Sequence, residues 1–227
     1  MTKKVLVLVE GPTEEAFIKH VVAPSLPGTS LIPTVVKTKV TGAQPEKGGF
    51  VKYNEFKRQL NLLLRDSSAS MVTTMLDYQG IGSDFPGRKT PGGNTSAARA
   101  EFVEAAMKGD IADTRYCPNL TLHEFEALLF VRPEIIADVL QYPRLANPLR
   151  AIRARYPATP EEINDSAATS PSARIETTCR EVCGSPRVFR KRMHGPIIAG
   201  RIGLTQIRGS CPHFDGWLKK LEAFAAV

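Results

Sequence analysis

Val5 to Val9 form an unbroken apolar run that stops at Glu10 and Gly11. A strand wetted on one face alternates apolar and polar residues. A continuous Val/Leu run of this length instead fits a strand covered on both faces, as in a parallel sheet between helices. The following Pro12 and Thr13 are helix-start residues, Pro for the first turn and Thr as a cap. Glu14 and Glu15 then complement the positive end of a helix dipole. Glu10 has no such local duty. It stands where the strand ends and the chain turns, the edge at which open α/β sheets bind ligands. The competing reading is a solvated loop acid.

The same grammar recurs through the first half. The pattern predicts strands over Lys3–Val9, Leu31–Val40, "MVTTML" at 71–76 and "RYCPNLTL". Helices are expected over Thr13–Val22, Tyr53–Arg65 and Thr95–Met107. The 71–76 run stops on Asp77, and "RYCPNLTL" runs into His123, Glu124 and Glu126. Parallel neighbours bring such strand ends to one sheet edge. Converging carboxylates there can hold a hard divalent cation; capping of the following helix is the alternative, for Glu124 above all. Between Asp77 and Thr95 lies a long Gly/Pro-rich loop, the kind that in compact domains is functional or mobile.

The second half reads as helical and less regular, with short helices at Pro133–Leu140 and Pro148–Arg155. Another begins near Ser172, and "HFDGWLKKLEAF" closes the chain as an amphipathic helix. The fold class expected is α/β, a parallel sheet flanked by helices with a mostly helical C-terminal half. The expected division is a core over 1–155 and a helical, basic extension over 156–227 packed on it.

Of a formal net charge of +7, a net +6 falls between Arg174 and Arg208. A basic cluster of this kind suits a polyanion, nucleic acid first, against the alternative of a solvated face. Hydrophobic residues at 42% and charged residues at 23% are ordinary for a globular protein. No signal peptide or membrane-length segment is visible, so the expectation is a cytoplasmic protein without a membrane partner. Cys179, Cys183, Cys211 and His213 match no standard zinc spacing, and buried reduced thiols are the favoured reading.

"VEGPTEEAF", "MLDYQGIGSDFPG", "LHEFEALLF", "PEEIN…PSARI", "HGPIIAGRIGL" and "CPHFDGWLKKL" occur in this order. Together they resemble the motifs of domain-of-unknown-function family 4276, which is grouped with Toprim-like proteins. The resemblance implies a Toprim-like core with acids at the strand ends. In Toprim enzymes a glutamate after the first strand and a DxD pair after a later one bind magnesium for phosphodiester chemistry. Glu10 matches the glutamate and Asp77 the first aspartate. Gln79 stands where the second aspartate would be. Related Toprim-like proteins occur beside ATPases in phage-defence loci, so the resemblance also implies a defence nuclease with an ATPase partner.

The leading expectation is a nuclease or related phosphoryl-transfer enzyme using Mg²⁺ (or Mn²⁺). Glu10, Asp77 and Glu124 are its candidate metal ligands, with Asp84 as a possible fourth acid and His123 as a proton carrier or phosphate contact. Arg88, Lys89, Arg174, Lys191, Arg192 and His194 are the candidate nucleic-acid contacts. The alternative is a non-catalytic, degenerate Toprim module that binds an ATPase partner or nucleic acid.

Overall fold

The computed structural model describes residues 2–37, 52–164 and 169–226. The chain forms two compact units, Met1–Glu15 with Gly28–Thr121 and Ala16–Pro27 with Leu122–Val227.

The first unit is built on a parallel sheet. Strand β1 (Lys3–Val9) lies between β2 (Thr29–Val35) and β3 (Met71–Asp77), and the order runs β2-β1-β3-β4. Strands β4 (Tyr116–Cys117) and β5 (Leu120–Thr121) both pair with β3. In register, Val9 faces Val35 on one side and Met75 on the other. Val5 to Val9 are all buried, as a strand covered on both faces requires. Pro33 cannot donate to a ladder, and it sits in β2, the strand at the edge of the order. The chain leaves β1 for β2 on one side and returns to β3 on the other. Such a reversal of strand order is where open parallel sheets bind ligands, beyond the carboxyl ends of the strands.

Helix α1 (Pro12–Phe17) begins with a backbone cap different from the one expected. Glu14 reaches back to accept the Gly11 N–H at 2.8 Å, the reciprocal half of a capping box, while Thr13 lies inside the helix. The helix expected to reach Val22 as one piece instead widens to a π turn at Ile18–Val22. The strand expected over 31–40 starts and ends earlier, and positions 38–40 fall outside the described residues. The single strand expected at 115–122 is two short ones, interrupted at Pro118, which has no N–H for the ladder.

Helix α2 (Tyr53–Leu64) buries Tyr53, Phe56, Leu60 and Leu64 along one stripe and packs on β3. Helix α3 (Ser96–Ile111) packs on β4 and is capped by Thr95, whose hydroxyl accepts the Ala98 N–H at 3.1 Å. The Gly/Pro-rich stretch before it is tied down. Phe85 is buried against Tyr53 and Phe56, with ring centroids 5.0 and 5.2 Å away. Gly93, at φ +100°, lies so near Ala98 that a Cβ would come within 2.5 Å of the Ala98 methyl.

The second unit is helical, with α4 (Pro133–Leu140), α5 (Ala146–Ala154), α6 (Pro171–Cys183), α7 (Lys191–Ile202), α8 (Leu204–Ser210) and α9 (Pro212–Ala226). The segment after Glu124 is a 3₁₀ helix, Phe125–Val131, whose residues Phe125 to Phe130 are all buried. An aromatic chain runs through this core. Phe17 meets Phe125 edge-on at 5.1 Å and Phe214 at 5.8 Å, and Phe214 meets Trp217 at 5.8 Å. Among the described residues, no helix is long and apolar enough to cross a membrane.

Candidate functional site

At the carboxyl edge of β1 and β3 the chain builds a cradle around one carboxylate. The backbone N–H of Glu10 still donates to Met75 O at 3.1 Å, so the ladder continues to that residue. The Glu10 side chain then turns towards β3, and its Oε2 accepts the Asp77 N–H at 2.9 Å. The chain reverses after Asp77, with the Gly80 N–H bonded to Asp77 O at 2.8 Å. At Gly80 a Cβ would lie 2.4 Å from Glu10 Oε2 and 2.6 Å from Oε1. A side chain at this position would push the carboxylate aside, so glycine lets Glu10 rest against the turn. Glu10 and Asp77 therefore stand together at the ends of adjacent parallel strands, where the strand order reverses.

These groups suit a hard cation. Mg²⁺ takes oxygen ligands and is commonly held by one or two carboxylates, with water and phosphate oxygens completing the shell. A cradle closed by a glycine over an oxygen donor provides such a carboxylate in a fixed place. Among the described residues, no group of three or more His, Cys, Asp or Glu is gathered as a metal site.

Most of the other candidate residues hold local structure. Asp84 Oδ2 accepts the Tyr53 N–H at 3.0 Å, satisfying the open start of α2. Arg88 stacks on the Tyr78 ring with its guanidinium carbon 4.0 Å from the centroid, and donates to the Tyr78 carbonyl and hydroxyl. Tyr78 is itself buried, so its ring is a packing surface. Lys89 is exposed.

In the second unit, Glu124 Oε2 accepts the Ser172 N–H at 3.0 Å and holds the N-terminus of α6. His123 is buried with φ +63°, an uncommon backbone state for a residue other than glycine, and its Nδ1 bonds the Asn164 amide at 3.2 Å. Arg174 donates to Thr169 O and to the Tyr156 hydroxyl. Lys191 lies 3.8 Å from the buried Glu126 carboxylate. His194 Nδ1 accepts the Arg190 N–H at 3.0 Å, and burial followed by the nearby Arg190 charge lowers its pKa. Arg192 is exposed.

One acid escaped sequence reasoning. Glu161 is buried, and its two oxygens accept the His213 and Phe214 N–H groups, each at 3.0 Å, at the start of α9. Burial raises its pKa, opposed by those same hydrogen bonds. The available signal was an acid in "PEEIN" with no local partner, together with "CPHF" opening a helix. Burial also pushes the Cys179 thiol up to about 11 and the Cys211 thiol higher than usual. Both suit inert packing thiols rather than ligands.

The motifs thus bind one another within the second unit. "LHEFE" meets "PEEIN" through His123 and Asn164, and "PSAR" through Glu124 and Ser172; "PEEIN" meets "CPHF" through Glu161. No curated protein and no solved structure matches the chain. One family model does, over residues 9–222, and its description is "Domain of unknown function (DUF4276)". That match runs from the end of β1 into α9 and takes in every motif just described, so the chain belongs to the DUF4276 family.

Proposed function

We propose that the protein is a Mg²⁺-dependent nuclease or related phosphoryl-transfer enzyme acting on nucleic acid, with Glu10 and Asp77 as its metal-holding acids. The observation that carries this reading is the Gly80 turn closed over the Glu10 carboxylate at the β1/β3 reversal. A solvated loop acid needs no such enclosure. The Toprim-like resemblance adds that Glu10 and Asp77 occupy the positions of the magnesium-binding glutamate and first aspartate of that group. A bound divalent cation would polarise a phosphodiester and activate water. The chain's own part is to fix Glu10 through the Asp77 N–H, so that its carboxylate is preorganised. The excess positive charge between Arg174 and Arg208 favours a polyanionic substrate.

A second reading is a non-catalytic module that binds nucleic acid or an ATPase partner. The observation favouring it is Gln79, which offers a neutral amide where the resemblance calls for a second acid. Melting curves with and without Mg²⁺ or Mn²⁺, and a cleavage assay on single-stranded and structured nucleic acid, separate the two. The enzyme reading expects a metal-induced rise in melting temperature, lost in Asp77→Asn together with cleavage. A metal shift without cleavage leaves the module. Neither shift nor cleavage in the wild type, with the ATPase partner supplied, refutes the enzyme reading.

A further inference from the structure

The second unit carries a shallow, open pocket of about 400 Å³ where the end of α4 meets the start of α7. That size falls within the ~300–1,000 Å³ of small-ligand clefts. Gln141, Tyr142, Arg187, Arg190, Met193 and His194 line it, and among the described residues no carboxylate does.

Three features of this pocket work against the stability of the fold taken alone. Arg190, Lys191 and Arg192 open helix α7 with no acid in its first turn. A helix start is the positive end of its dipole, so cations there are unfavourable and an anion would relieve them. Lys191 lies beside Glu126, whereas among the described residues Arg187, Arg190 and Arg192 make no ion pair. Gln141 closes α4 in the left-handed region, at φ +62°, with its own N–H bonded to Asp138 O and that of Tyr142 bonded to Ala137 O. Glycine is the usual residue at such a helix end. A glutamine there carries backbone strain, and the residue is part of the pocket lining. Tyr142 and Met193 are 43% and 47% exposed, large apolar side chains left against solvent in the same place.

We infer that this pocket takes one unstacked nucleotide of a single-stranded nucleic acid. Tyr142 and Met193 offer a face on which a base stacks. The Gln141 amide, donor and acceptor together, suits a base edge. Arg187 and Arg190 suit the phosphate. A duplex keeps its bases stacked and paired, so it presents only the phosphates. This deepens the nucleic-acid reading proposed above and names single strands as the favoured form.

The test is fluorescence anisotropy of the full chain with a short labelled single strand and the matching duplex, at low salt and in EDTA. Tighter binding of the single strand is expected. Tyr142→Ala should weaken it about tenfold. The Arg187→Ala, Arg190→Ala double variant should weaken it and flatten its salt dependence. Gln141→Gly should weaken it while the melting temperature holds or rises, a divergence that a purely structural role would not give. Wild-type binding that these variants leave intact overturns the pocket and leaves the nuclease reading standing. No binding by the wild type, or equal binding of duplex, also overturns the pocket. Pocket-dependent binding without a metal shift or cleavage refutes the enzyme reading alone.

Discussion

Replacing Gly80 with alanine tests the cradle directly. Gly80 is not among the positive-φ glycines, so an L-residue fits its backbone and the effect is purely steric. The new Cβ would stand 2.4 Å from Glu10 Oε2, whereas ordinary contact begins near 3.4 Å, so the carboxylate must retreat by about 1 Å. A glutamate tip can swing that far, and the fold should survive. The retreat breaks the 2.9 Å bond to the Asp77 N–H. Losing a hydrogen bond to a charged group costs about 1.5–3 kcal/mol. The smaller unfolded-state entropy of alanine returns about 0.4–1 kcal/mol. The net expectation is a loss of about 1–2 kcal/mol, or roughly 2–8 °C in melting temperature for a chain of this size. Urea and thermal melts would measure it, repeated with Mg²⁺ or Mn²⁺ to read the metal shift, which should shrink. The decisive control is a double-mutant cycle with Glu10→Ala. With the carboxylate gone, Gly80→Ala should be neutral or mildly stabilising, giving a coupling of about 1–3 kcal/mol. A Gly80→Ala protein as stable as wild type, or equally destabilised in both backgrounds, would refute the enclosure of Glu10 and the metal argument built on it.

Asp77→Asn should keep the fold and abolish both the metal shift and any cleavage, read by melting curves and gel assay. Lys191→Met removes the cation 3.8 Å from the buried Glu126; because Lys191 is 42% exposed, solvent screening should hold the loss to about 1 kcal/mol in urea, below the range for fully buried pairs. Glu161 gives a pH signature. Its folded pKa is raised by burial, so its contribution is fully present below its ordinary value of 4.5 and is lost as pH rises through the raised one. The stability advantage of wild type over Glu161→Gln should therefore shrink from pH 4 towards neutrality; an advantage that grows with pH would overturn the assignment. His194 works in the opposite sense. Its lowered pKa means stability present above pH 6.5 and lost as pH falls through the folded value, a slope that His194→Asn should remove in acid melts.

The order of residues alone specifies the strand that organises the first unit. A Val/Leu run with no polar alternation fits a strand covered on both faces, and Val5 to Val9 of β1 are all buried. It also determined that Glu10 and Asp77 stand at strand ends, because a strand's end is a local property of where the apolar run stops. The helical second half and the helix dipole duty of Glu14 were legible for the same reason. Long-range packing settles which of the remaining charges already have work inside the fold. Glu124, Glu161 and Asp84 each satisfy an open helix start far along the chain, and nothing local marks a distant N–H as needing an acceptor. Arg174 and Arg88 look like solvated cations in sequence, yet stack on Tyr156 and Tyr78. The pocket residues Gln141 and Tyr142 gave no signal at all. Their meaning depends on a left-handed helix end lying beside the start of another helix, and side-chain spacing along a chain carries no record of that juxtaposition.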